Sequence, residues 1–279
     1  MRWSGDSGGQ TREGCHAAAM APANVWMRGV LTTLVALALG YAGLCALLFS
    51  MQRSMLFYPQ PRSGAAGTEV LRLPVEGGDV LVTARAHAGS RAVLYFGGNA
   101  EDVCGSVDSM AAAFPDHALY LLHYRGYGGS AGRPSEAALF ADALALYDRV
   151  RPGHAHIVAV GRSLGSGVAV HLANRRPVER LVLITPYDSL TAIAAAQFPY
   201  VPVRWLLLDR FESWRDAPAI TAPTLVLAAE HDEVIPRAST ERLVARFRAD
   251  VVQYRVVPGT RHNSISDAAG YAALLHEAP

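Results

Sequence analysis

The first strong pattern in the chain is an absence of polarity. From Gly29 to Met51 there are 23 residues without a charge, set between Arg28 and Arg53. A helix rises about 1.5 Å per residue, so some 20 of these residues cover the roughly 30 Å hydrocarbon core of a bilayer. The run predicts a transmembrane anchor over 29–51. A cleaved signal peptide is the alternative, because Gly40-Tyr41-Ala42 offers a small-residue cleavage site. However, the run outlasts the usual signal core of about 7–15 residues. Residues 1–28 have no periodicity and read as a disordered tail, within which Met20 or Met27 would serve as alternative starts. Arg12 and Arg28 before the span face Arg53 and Arg62 after it, so the charge bias is nearly balanced. Arg28 abuts the apolar run, which tilts the expectation toward an N-terminus inside and a periplasmic large domain on a bacterial inner membrane.

Beyond Arg53 the pattern alternates. Val70–Val75 and Val80–His87 predict a hairpin turning around Gly77-Gly78. Ala92–Phe96, Ala118–His123, Ile157–Val160, Leu181–Thr185, Thr224–Ala228 and Val251–Val257 are short continuous apolar runs, as expected of strands buried on both faces. Between them, Glu101–Phe114, Ser135–Val150, Leu164–Arg175 and Arg237–Phe247 carry helical spacing, and a last helix is expected over Ser264–His276. In the second, Ser135 is the expected N-cap, with Leu139, Phe140, Ala143, Leu144 and Tyr147 along one stripe. This alternation predicts a mostly parallel sheet with helices on both faces, with chemistry at the C-terminal ends of its strands. Tyr187–Pro218 interrupts the pattern with aromatics and prolines and reads as a small lid, at about 187–218 within a domain spanning 52–279.

Composition narrows the possibilities. The net charge is +1 and all 25 basic residues are arginine, so there is no basic field for nucleic acid. Three scattered cysteines supply neither a disulfide framework nor a metal site. His154 and His156 are two residues apart at a strand entry, with no third partner for a metal. No cofactor or metal is expected.

The chemistry concentrates at strand ends. Gly161-Arg162-Ser163-Leu164-Gly165 is a G-x-S-x-G turn with a strand before it and a helix after it. Such a turn strains the serine, exposes its Oγ, and aims the N–H of Leu164 at a developing oxyanion. The acid and then the histidine should follow. Asp232 follows the strand Leu225–Ala229, with Glu230 and Glu233 as alternatives expected to be solvated. His262 follows the next strand through Pro258-Gly259. Ser163 is therefore the expected nucleophile, His262 the base and Asp232 its supporting acid. The second oxyanion donor is expected in Gly97-Gly98-Asn99-Ala100, as the N–H of Asn99.

These residues resemble the α/β-hydrolases of the membrane-anchored Bem46-like branch, near serine aminopeptidase-type domains and depalmitoylating acyl-protein thioesterases. The resemblance runs through Gln52–Pro59, Gly98–Glu101, Tyr124–Ser130, Gly161–Gly165, Pro186–Ser189, Asp209–Phe211 and Gly259…Asn263. It implies an α/β-hydrolase fold and hydrolysis of an ester or thioester through an acyl-enzyme, on an acylated or other hydrophobic small molecule. A peptidase or amidase of the same fold, or a non-catalytic membrane-anchored binding protein, are the alternatives. Two positions depart from the family pattern. Gly97 stands where many relatives have histidine, and His123 replaces an acidic or amide residue; the sequence offers no reason for His123.

Overall fold

In the chain, residues that alternate apolar and polar at one end give way to strands apolar throughout, and the sheet explains why. The structure is a computed structural model describing residues Ala21–His276. Its eight strands are β1 (Glu69–Val75), β2 (Gly78–Arg85), β3 (Arg91–Phe96), β4 (Ala118–Leu122), β5 (His156–Arg162), β6 (Arg180–Ile184), β7 (Thr224–Ala229) and β8 (Val252–Val257). They form one sheet in the order β1-β2-β4-β3-β5-β6-β7-β8. The β1–β2 and β2–β4 pairings are antiparallel, and every pairing from β4 through β8 is parallel.

The helices are α1 (Ala21–Leu56), α2 (Val107–Ala113), α3 (Glu136–Val150), α4 (Leu164–Arg175), α5 (Leu190–Gln197), α6 (Val203–Leu206), α7 (Ser213–Asp216), α8 (Arg237–Val244) and α9 (Tyr271–His276). Within β3, Ala92, Leu94 and Phe96 pack on one face with residues of α3, α4 and α8. Val93 and Tyr95 pack on the other with residues of α2 and α9. Two covered faces leave no polar position to alternate, hence the unbroken apolar runs. β8 differs from the expectation of a doubly buried strand: it lies at the sheet edge, and only Val257 is buried.

Other differences have local causes. Glu101–Phe114 is a 3-10 turn (Val103–Ser106) followed by α2, because the Asp102 carboxylate accepts from the Cys104 N–H and starts the turn late. The expected last helix is split: Ile265–Asp267 is a 3-10 turn, and Gly270 at φ +75° separates it from α9. Tyr187–Pro218 carries α5, α6 and α7. The N-cap of α3 is as expected, Ser135 Oγ accepting from Ala138 N–H at 3.2 Å. Ser135→Ala is expected to cost about 1 kcal/mol, lowering the melting temperature by about 2–4 °C, which a thermal denaturation curve would check.

The chain divides into residues 1–48 and 49–279. In the first, α1 begins at Ala21, so residues 21–28, expected in the tail, are helical; residues 1–20 lie outside the described residues. The apolar part of α1, with mean hydropathy 2.1, fits a single-pass membrane anchor by length and composition.

Candidate active site

Parallel neighbours present their C-terminal ends along one edge of the sheet. β3, β5, β7 and β8 therefore deliver residues 97–99, Ser163, Asp232 and His262 to the same edge. Ser163 follows β5 at φ +49°, ψ −115° and forms the boundary residue of α4. A residue with a Cβ rarely occupies that region, so the turn is held by its surroundings rather than by its own preference. Flanking glycines make the turn possible. A Cβ on Gly165 would come within 2.0 Å of Phe96 O, and one on Gly161 within 2.3 Å of Gly165 O.

The structure brings the three sequence-predicted residues together. Ser163 Oγ lies 2.9 Å from His262 Nε2. His262 Nδ1 lies 3.0 and 2.9 Å from the two carboxylate oxygens of Asp232. A carboxylate only accepts, so Nδ1 carries the imidazole proton and Nε2 is left to accept from the serine hydroxyl. Asp232 is itself oriented by the N–H groups of Val234 and Ile235, at 2.9 and 2.7 Å. His262 is buried, whereas Ser163 is partly exposed.

Glu230 and Glu233 are exposed, as expected of solvated carboxylates, and they also bond the histidine loop. Glu230 accepts from Gly259 N–H at 2.7 Å, and Glu233 from His262 N–H at 3.3 Å. His154 and His156 have separate partners in Tyr120 (3.0 Å) and Glu179 (3.2 Å). No group of three metal-binding side chains occurs among the described residues.

The family described as "Serine aminopeptidase, S33" matches residues 207–269. Over 245 residues the chain is 36% identical to "Uncharacterized protein Rv2307c" of Mycobacterium tuberculosis, spanning 81% of this chain and 85% of that protein. It is 30% identical over 183 residues to the lysophosphatidylserine lipase ABHD12 of Gallus gallus, 55% of this chain and 48% of the lipase. The chain thus matches about half the length of that relative. The Pf2001 esterase of Pyrococcus furiosus superposes with a TM-score of 0.59 at 13% identity, over 75% of this chain and 93% of that one. The chain belongs to the α/β-hydrolase superfamily. Family and fold together support a serine hydrolase of the esterase or lipase kind.

In this α/β-hydrolase the loop after β3 is held by residues to which the sequence alone assigned no role. Gly98 N–H donates to Glu101 Oε2 at 2.6 Å. The same carboxylate receives Tyr95 OH (2.7 Å), Ser106 Oγ (2.7 Å) and Arg162 Nη1 (3.1 Å). Burial works against a charge on Arg162, but Glu101, Tyr95 and Tyr271 together outweigh it, and the guanidinium pKa lies above its ordinary value. Burial drives the Tyr95 hydroxyl well above its ordinary pKa, so it remains a donor. The Gly97 departure then has a physical reason: a Cβ there would meet Val103 Cγ1 at 2.6 Å and Glu101 Cδ at 3.2 Å. Glu101 fills the space a larger residue would need.

From the other side, Tyr124 OH donates to Gly97 O at 2.8 Å, and Tyr127 OH donates to Asn99 Oδ1 at 2.9 Å. Arg125 in the same loop is paired with buried Asp142 at 2.7 Å. His123, unexplained by sequence, is buried with Nε2 2.8 Å from Thr83 Oγ1. Burial pushes its pKa down to about 4, so it is neutral. A Cβ on Gly128 would fall 2.3 Å from His123 Nδ1, so the ring occupies the hollow under the φ +59° turn at Gly128. A signal for Glu101 was available in its place three residues beyond Gly98, but its partner Arg162 is 61 residues away.

Proposed function

We propose that the protein hydrolyses esters or thioesters of hydrophobic acyl groups, with Ser163 as nucleophile, His262 as general base and then acid, and Asp232 as the orienting acid. The observation that carries the reading is the continuous chain from Ser163 Oγ through the imidazole to the Asp232 carboxylate, each link about 3 Å. Ser163 Oγ attacks the carbonyl carbon while its proton passes to His262 Nε2. As the tetrahedral intermediate collapses, that proton goes to the departing alcohol or thiol, leaving an acyl-serine. A water then attacks the acyl carbon, again losing its proton to Nε2, and the acid departs as Ser163 regains its hydrogen.

The N–H groups of Leu164 and Asn99 are the proposed oxyanion donors. In support, neither donates to an acceptor among the described residues, while the neighbouring Gly98 N–H is already engaged by Glu101. Losing one such donor typically costs about 10²–10³ in turnover. Residues 29–51 serve as a transmembrane anchor in this reading, 187–218 as a lid, and Arg28 favours placing the hydrolase domain outside the cytoplasm.

A labelled fluorophosphonate applied to the full chain tests the assignment. Wild type is expected to be labelled covalently and Ser163→Ala to show no labelling above background. A folded wild type that resists the probe would remove the nucleophile from the reading. A series of p-nitrophenyl esters of increasing chain length, run beside an aminoacyl anilide, separates esterase from amidase.

A further inference from the structure

The insertion between β6 and β7 has an unusual surface. Residues 190–208 number 19 and contain a single formal charge, Arg204, in a chain that is 18% charged overall. Despite its apolar sequence, α5 buries no residue fully. Further along, Tyr200 is 88% exposed, Trp205 85% and Leu208 51%. Apolar exposure concentrated in one short segment marks an interaction site. Trp and Tyr beside an arginine are the composition of a membrane–water interface, where amphipathic rings sit at headgroup level.

The position of this surface along the chain identifies its occupant. Gln52 and Arg53 are the first strongly polar residues after the apolar run that ends at Met51, so they mark where an inserted helix leaves the hydrocarbon. These two residues hold the insertion. Gln52 donates to Leu206 O (3.3 Å) and accepts from Leu208 N–H (2.8 Å), and Arg53 pairs with buried Asp209 at 2.8 Å. A few residues on, Leu56 O and Tyr58 N–H bond the side chain of Asn99, beside Ser163. Leu56 lies five residue steps along the helix from Met51, a rise of about 7.5 Å. The segment that leaves the bilayer is therefore bonded both to the exposed aromatic turn and to the loop that carries a proposed oxyanion donor.

We propose that Tyr200, Trp205 and Leu208 dock into the interfacial layer of the membrane that holds α1, and that substrate enters from the lipid rather than from bulk water. Arg204 meets lipid phosphates, while the rings and Leu208 lie at the acyl boundary. This deepens the hydrolase reading and rests on residues 29–51 being an anchor. The substrate class it names is an acyl ester or thioester resident in a membrane leaflet.

The test uses the full chain in phosphatidylcholine vesicles, comparing wild type with Trp205→Phe so that the difference in tryptophan emission isolates Trp205. That component is expected to be quenched by lipids brominated near the headgroup end of the acyl chain and protected from aqueous iodide. A protein that co-floats with vesicles while its Trp205 component is quenched by iodide and untouched by bromolipid overturns the docking and leaves the anchor standing. A protein that does not co-float overturns both. In the Trp205→Ser, Leu208→Ser double variant, the ratio of activity on a bilayer-borne long-chain ester to that on a soluble short-chain ester is expected to fall about tenfold, or about 1.4 kcal/mol. An unchanged ratio overturns entry from the lipid. Because a ratio is read, general loss of the hydrolase would appear separately, as loss on both esters.

Discussion

Asp232→Asn is expected to keep the fold and lose roughly 10⁴-fold in kcat. The amide can still offer its oxygen to the N–H groups of Val234 and Ile235, which hold the carboxylate at 2.9 and 2.7 Å, so the loop has no reason to move. What changes is the atom facing His262. Both carboxylate oxygens lie about 3 Å from Nδ1 and accept its proton. An NH₂ group there would donate, forcing the imidazole proton onto Nε2, which then cannot take the proton of Ser163. Steady-state hydrolysis of a p-nitrophenyl ester, with a melting curve beside it, makes the measurement. Activity within tenfold of wild type would sink the assignment. Glu230 and Glu233 could not readily substitute, since each is bonded to backbone of the histidine loop.

Gly165→Ala is expected to remove activity and to destabilise the domain by about 3 kcal/mol or more. The new methyl would sit 2.0 Å from Phe96 O, 2.5 Å from Phe96 C and 2.6 Å from Gly97 O. All three are backbone atoms at the end of a central strand, and none can turn aside as a side-chain tip would. Relief requires α4 and β3 to separate, and that moves Leu164 N–H and the 97–99 loop apart. For a domain of this size such a loss corresponds to a melting-point drop of about 6–12 °C. Gly105→Ala is the control, because nothing lies within 4 Å of the added carbon; it is expected to change stability by less than about 0.5 kcal/mol. Equal melting points for the two variants would show that the close approach of helix and strand is not needed.

Much of the architecture was legible because local chemistry and tertiary packing agree. The apolar runs at Leu94, Val160 and Val226 lack alternation because both sheet faces are covered, and the same property makes them recognisable as central strands. Ser163 and Asp232 each follow such a strand and His262 follows the edge strand β8, so their order along the chain already placed them at strand ends. Boundaries were less legible where a single bond decides them. Asp102 capping a 3-10 turn and Gly270 at φ +75° broke two expected helices, and neither contradicts helical spacing in its neighbours.

The amino-acid sequence by itself determined the elements, the apolar span and the residue types available for chemistry, since each rests on contacts within a few residues or on periodicity. Only the tertiary structure decided which distant groups meet. Glu101 with Arg162, Asn99 with Leu56, Tyr58 and Tyr127, Gln52 with Leu206 and Leu208, and His123 beneath Gly128 are all pairings across sequence gaps that no local pattern encodes. Their partners are selected by the order of strands in the sheet and by where buried polar groups can find hydrogen bonds. Leaving such groups unmatched costs about 1–3 kcal/mol each.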